Sequence, residues 1–215
     1  MFLIMRETLG SVSHVLRQVD DFFMKISPVH DTLRNLVSRL AEENISYAII
    51  GGMALAIHGL VRPTQDVDVL MTTAGLDRFH ERLVGRGYVP VFAGARKHFR
   101  DTITGVNVEV ITAGEYPGDG KPKPVVFPAP ESAANEIDGV RVLSLERIIE
   151  LKLASGLTAE HRTLRDLADV QMLIETLDLP DSLANRLSPF VQDEYLRLWN
   201  LVQKFRQEPI GPDRE

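Results

Sequence analysis

Residues 51–70 read GGMALAIHGLVRPTQDVDVL. A glycine pair opens the stretch, a short apolar run follows, and Arg62 and Thr64 then lead into Asp66 and Asp68, separated by Val67. MALAIHG is built of good helix formers, and Gly59 can close that helix. QDVDVLM, 65–71, alternates polar and apolar residues, the period of a half-buried strand. On a strand, residues i and i+2 point the same way. Asp66 and Asp68 therefore share one face, with Val67 and Val69 turned into a core. Upstream, residues 47–52 read as a short buried strand that ends in Gly51 and Gly52.

Two carboxylates so close repel each other. They stand together when a divalent cation lies between them or when solvent dilutes their field. Oxygen-only donors suit Mg²⁺ or Mn²⁺, which keep several waters and complete their shell with substrate phosphates. A third carboxylate is on hand in VNVEVIT, 106–112, where Val108 and Val110 face the core and Glu109 points the other way. If this strand lies beside 65–71, Glu109 joins the aspartates. Three carboxylates on adjacent strands can hold two metal ions about 3.5–4 Å apart, the arrangement that clamps an in-line phosphoryl displacement. Gly51 and Gly52, between strand and helix, let backbone N–H groups approach a phosphate. A glycine pair alone is a turn, and two acids alone are an exposed strand face. Their joint spacing, followed by a third strand carboxylate, favours a site.

The remaining sequence frames this centre. The chain has 215 residues, 44% of them apolar and 25% charged, values of a globular protein. Cysteine is absent, which rules out a disulfide framework or a thiolate zinc site and fits a cytoplasmic location. MFLIM is too short for the apolar core of a signal peptide, and no run approaches the roughly 20 apolar residues that span a bilayer. The formal net charge of −6 argues against wrapping a long duplex, though not against a short strand or a nucleotide.

Helix-like spacing runs through residues 4–24. Ser27-Pro28 marks a helix start, and Leu33, Leu36, Val37 and Leu40 form its apolar stripe. A helix is expected over 76–88 and strands over 88–92, 97–103 and 106–112, with Gly105 as a hairpin signal between the last two. Residues 114–130 are rich in Pro and Gly and read as a loop. A last strand is expected at 140–144, then helices over 144–155, about 160–177 and about 181–206, with Ser144 as a cap. The fold class expected is α+β: a mixed sheet flanked by helices in residues 1–140, with a helical region, 141–215, packed on it.

The pattern GG, helix, R-x-T-x-D-x-D and a later strand carboxylate resembles the polymerase-beta-like nucleotidyltransferase superfamily. More narrowly it is similar to the minimal nucleotidyltransferases that include abortive-infection type toxins of bacterial toxin–antitoxin systems. LERIIELKLASGLTAEHRTLRDLADV, 145–170, resembles the helical motif of that branch, with Lys152 on one helix and Arg165, Asp166 and Asp169 on the next. The resemblance covers roughly residues 34–177. It implies that Gly51 and Gly52 contact nucleotide phosphates, that Asp66 and Asp68 bind metal, and that Glu109 is the third, base-like carboxylate. It also implies that Lys152 reaches the triphosphate, with Asp166 or Asp169 orienting it. The chain departs from the pattern at Met53, where many members have Ser, and at Glu109, where Asp is more usual.

The implied chemistry is transfer of a nucleoside monophosphate from an NTP to an acceptor hydroxyl on RNA, a protein or a small molecule. Several residues carry a second, ordinary reading. Arg62 and Thr64 either order the loop or meet a phosphate. Lys152 can lay its stem along the surface with its head in water. Asp166 and Asp169 can pair with Arg162 or Arg165 on their own helix. His58 reads as a packed histidine. The basic run Arg96 to Arg100 fits either an acceptor phosphate or a charged edge strand. A competing function is a non-catalytic nucleotide sensor or antitoxin-like partner, whose interface would be the apolar C-terminal helix with Phe190, Tyr195, Trp199 and Phe205. A phosphatase or nuclease using the same acids fits the glycine pair less well.

Overall fold

The structure, a computed structural model, describes residues 27–207, so the helix-like stripe over 4–24 lies outside the described residues. Pro28 opens α1 (Pro28–Glu42), where its missing N–H costs nothing. Ser27 holds the N-cap position, but its hydroxyl lies 2.9 Å from His30 Nδ1 and caps no backbone group. Leu33, Leu36 and Leu40 bury the expected stripe, each contributing roughly 1.5–3 kcal/mol. β1 (Tyr47–Ile50) is buried along its whole length and runs straight into α2 (Gly51–Ile57), whose first residues are the glycine pair. Gly59 follows with φ +102, the left-handed stop that the sequence announces.

β2 (Asp66–Met71) alternates as expected, with Val67 and Val69 fully buried. The next helix, α3 (Thr73–Arg82), starts and stops earlier than the expected 76–88. Thr72 caps it by accepting a hydrogen bond from Gly75 N–H, and Gly85 and Gly87, both at positive φ, carry the chain out of it. β3 (Tyr88–Pro90), β4 (His98–Asp101) and β5 (Asn107–Thr112) occupy the three expected strand windows. Gly105 closes the β4–β5 connection by donating its N–H to the Asp101 carbonyl.

Among the described residues, seven strands form one mixed sheet in the order β3-β4-β5-β2-β1-β7-β6. Pairing is parallel between β2 and β5 and between β1 and β7, and antiparallel elsewhere. This is the α+β class that the sequence implies. β3, not β4, is the edge, so the basic run on β4 is not an edge strand. Two elements were not foreseen: the single-turn α4 (Pro130–Ala133) and the outer strand β6 (Ala134–Ile137). β6 turns back into β7 (Val140–Leu143) through Asp138 and Gly139, both at positive φ. The expected domain boundary at residue 140 falls at the start of β7, which pairs with β1 inside the sheet.

α5 (Leu145–Thr158) and α6 (Glu160–Thr176) form a helical hairpin close to their expected ranges. Ser144 stands at the N-cap of α5 without a side-chain capping bond. The expected single helix over 181–206 is two elements, a 3₁₀ helix (Asp181–Arg186) and α7 (Pro189–Gln207). Pro189 enforces the break, because the residue before a proline avoids the helical region. α7 buries Val191, Tyr195, Leu198 and Val202 against its own chain, and Trp199 Nε1 donates to the Leu179 carbonyl at 3.0 Å. Phe190 and Phe205 are the large apolar side chains of α7 left exposed. No helix of the described residues is long and apolar enough to cross a membrane.

Candidate active site

The acids meet through strand register. In the parallel β2–β5 pair, Asp68 stands directly opposite Glu109 and Asp66 opposite Asn107. Partners in register point to the same side of a sheet, and Asp66 shares the Asp68 face by alternation. Glu109 thus faces the aspartates. Burial, and then the charges of Asp66 and Glu109, push the Asp68 carboxyl up to about 7. Lys152 and Arg165 act in the opposite sense without cancelling this.

Glycine is required at position 51 for two reasons. Its φ is +64, and a Cβ there would lie 1.8 Å from Asp68 Oδ2. A Cβ at Gly52 would meet Thr64 Oγ1 at 2.7 Å. The glycine pair therefore lets the start of α2 press against β2 and the loop before it. Thr64 Oγ1 in turn donates to Asp66 Oδ1 at 2.9 Å and fixes that carboxylate. Met53, at the position of departure from the superfamily, is buried in the core.

The helical hairpin supplies the opposite wall. Lys152 is not laid out in water: its side chain is 12% exposed, and Nζ donates to Asp166 Oδ1 at 3.1 Å and Asp169 Oδ2 at 2.7 Å. Asp166 Oδ2 also accepts from Ser155 Oγ at 2.6 Å and Arg162 Nε at 2.9 Å. Burial opposes ionisation of Asp166, but Lys152, Ser155 and Arg162 outweigh it and hold the carboxyl below its ordinary value. Arg62 reaches across from the loop before β2 and donates to Asp169 Oδ2 at 3.2 Å. The network ties this loop to both helices. Arg165 is exposed, with no carboxylate within ion-pair distance among the described residues.

A cleft of about 270 Å³ lies between these walls. Of the residues singled out in the sequence, Gly51, Asp68, Glu109, Lys152 and Asp166 line it; Asp66, Gly52, Arg62, Thr64 and Asp169 do not. Sequence reasoning missed four contributors: Ser155, Arg162, Tyr116 and Phe127. Tyr116 and Phe127 belong to the Pro/Gly-rich loop, whose ends are pinned by Gly114 N–H to the Phe127 carbonyl and Phe127 N–H to the Glu115 carbonyl. A Cβ at Gly118 would lie 2.9 Å from Ser155 Cα, so the loop is seated directly on α5. The cleft has an acidic floor and, with Tyr116, Phe127, Ile111 and Ile148, an apolar wall.

His58 is a packed histidine, its Nε2 2.8 Å from the Leu143 carbonyl. In the basic run, Arg96 pairs with Asp77 and Lys97 with Glu115, while Arg100 Nε lies 3.4 Å from Asn107 Oδ1. Among the described residues, no three His, Asp or Glu side chains already converge as a ready coordination set. The donors nevertheless suit a hard cation: all are carboxylate oxygens, and they face one another on neighbouring strands with their mutual repulsion only partly offset by Lys152 and Arg165. In the kind of donor they suit magnesium or manganese.

No family model matches the sequence, and no curated protein matches it. Similar solved structures exist. A Thermotoga maritima protein assigned as a nucleotidyltransferase is 20% identical at TM-score 0.48, over 65% of this chain and 91% of its own. A Helicobacter pylori protein, likewise assigned, is 20% identical at TM-score 0.45, over 82% of this chain and 92% of its own. An antigenic nucleotidyltransferase-like protein from Paracoccidioides brasiliensis is 20% identical at TM-score 0.45, over 81% of this chain and 87% of its own. At these identities and scores the likenesses carry no functional argument, and the reading of the site rests on its own residues.

Proposed function

We propose that the chain is a metal-dependent nucleotidyltransferase of the polymerase-beta-like kind, moving a nucleoside monophosphate from an NTP to an acceptor hydroxyl. The observation that carries this reading is the register of Asp68 against Glu109, with Asp66 on the same face, on the floor of a cleft walled by Lys152. Lys152 and Arg165 offset that charge only in part, so a cation would relieve it, and the cleft beside it suits a phosphate chain.

A magnesium or manganese ion held by Asp66, Asp68 and Glu109 would supply charge neutralisation at the α-phosphate and lower the pKa of the acceptor hydroxyl. The acceptor oxygen attacks the α-phosphorus, the bond from that phosphorus to the bridging oxygen breaks, and pyrophosphate leaves. In this reading Glu109 receives the acceptor proton. Thr64 holds Asp66 in its rotamer. Lys152, braced by Asp166 and Asp169, presents fixed positive charge to the triphosphate, with Arg162 beside it at the cleft wall. Catalysis of this type is positioning and electrostatics rather than covalent chemistry. The toxin–antitoxin setting rests on the resemblance of the two motifs.

The test is label transfer. The protein is incubated with Mg²⁺, each labelled NTP in turn, and total RNA and protein as acceptors, alongside Asp66→Ala/Asp68→Ala. Transfer by the wild type and loss in the variant support the enzyme. Nucleotide binding without transfer in any mixture contradicts it and favours a sensor. The sensor's proposed interface is weakened by α7, which buries most of its apolar face in its own chain.

A further inference from the structure

α6 carries apolar residues on two opposite faces. One holds Val170, Leu173 and Ile174, fully buried against the rest of the chain. The other holds Leu164, Ala168 and Met172, at i, i+4 and i+8, one above the other along the helix. This second stripe faces out. Leu164 is 87% exposed, Met172 is 43% exposed, and Ala168 between them is exposed as well. Single exposed apolar side chains are ordinary on a protein surface, whereas three in a row along one helix make a contact stripe. Its flanks are charged in halves. His161 and Arg165 lie toward the N-terminal end of the stripe and Glu175 at the C-terminal end, all exposed. Neither Arg165 nor Glu175 has an opposite charge within ion-pair distance among the described residues. Arg206 meets the Glu175 backbone carbonyl and the Asp178 carboxylate instead.

We propose that this stripe is the interface of a homodimer, in which α6 crosses α6 of a second copy antiparallel at Ala168. The stripe is self-complementary about that residue, with Leu164 one turn before it and Met172 one turn after. A two-fold axis at Ala168 sets the N-terminal half of one helix against the C-terminal half of the other. His161 and Arg165 then come beside Glu175 of the second copy, twice over. A parallel pairing would put like charges together. Ala168 has the smallest side chain of the stripe, which lets the two helix axes approach to about 8 Å at the crossing. A two-fold contact of this kind closes on itself and adds no further copy. Other occupants fit the charge less well. A nucleic acid or an acidic peptide would meet Glu175 as a like charge, and a basic peptide would meet Arg165 as one. One helix pair lies at the small end of specific interfaces, so the dimer is expected at roughly micromolar protein. Leu164, Ala168 and Met172 lie outside the cleft, so this contact stands or falls apart from the transferase reading.

The experiment is sedimentation velocity of the full chain from low to high micromolar concentration, over which the wild type shifts from monomer to dimer. Leu164→Glu removes the dimer and, at so exposed a position, leaves the monomer folded. Arg165→Glu and Glu175→Arg each weaken the dimer about tenfold or more, and Arg165→Glu/Glu175→Arg together restore it, because the swap re-forms both pairs. The chain has no cysteine, so a single introduced one reports the contact directly. Ala168→Cys, on the axis, forms a disulfide-linked dimer in oxidised glutathione. Thr176→Cys, at the exposed end of the same helix, does not, because the antiparallel crossing holds its two copies about 24 Å apart. A wild type that stays monomeric throughout, which would leave the stripe to another segment or partner, overturns the proposal. So does equal cross-linking of the two cysteine variants, or a double charge variant that dimerises no better than its parents.

Discussion

Asp68 and Asp166 look into the same cleft from opposite walls, in opposite electrostatic states. Asp68 is pushed up to about 7 by burial and by the charges of Asp66 and Glu109. Asp166, also withdrawn from water, is held below its ordinary value by Lys152, Ser155 and Arg162. One wall repels itself; the other is fully compensated. The difference separates function from scaffold. A self-repelling carboxylate cluster is costly unless it holds a cation, whereas the compensated pair fixes a lysine in place and joins two helices.

That contrast is broken first by kinetics. Asp68→Ala is expected to reduce label transfer by about a thousandfold or more, the scale of losing a principal electrostatic contact to the transition state. Asp166→Ala acts through stability instead. Breaking a buried ion-pair network is expected to cost roughly 3 kcal/mol and to lower the melting temperature by about 6–12 °C, read by calorimetry.

The opposite change, Asp68→Asn, is expected to stabilise the metal-free protein. A carboxyl moved from 3.8 to about 7 costs up to about 4 kcal/mol when ionised. Its folded pKa lies above the unfolded one, so the cost is absent below about pH 4, grows as pH rises, and is complete above about pH 7. Melting curves in EDTA should therefore show Asp68→Asn gaining on the wild type at pH 8 and matching it at pH 4. Asp166 has the reverse sign: its contribution is present above the ordinary carboxylate range and is lost as pH falls through its lowered value. The smallest effect is expected from Arg62→Ala. It removes one donor from Asp169 while Lys152 remains, at a cost of about 1 kcal/mol in denaturant unfolding.

The shared face of the acids was legible because strand alternation is a strict rule. Asp68 and Glu109 each sit between buried valines and Asp66 lies two residues before Asp68, so their common face follows from the sequence once β2 and β5 are paired. The pairing itself is long-range and could be posed only as a condition. The glycine pair was read as a phosphate contact; its steric role against Asp68 and Thr64 depends on a β2 approach that no local pattern reports. Lys152 was open between two readings for a similar reason, since its partners lie a helix away. β6 was missed although Asp138-Gly139 is a two-residue hairpin signal, because AANEI has Ile137 as its single β-branched residue and is otherwise built of poor strand formers. The break before α7 was written in Pro189 and passed over in favour of a continuous apolar period. The cleft wall formed by Tyr116 and Phe127 was hidden in a segment whose composition says only that it is a loop.

Manganese binding tests the central claim most directly. Titration of Mn²⁺ into the protein with a non-hydrolysable NTP, followed by electron paramagnetic resonance, should show bound ion in the wild type and at least about tenfold weaker binding in both Asp68→Asn and Glu109→Gln. Equal manganese affinity in the wild type and both variants would contradict the account.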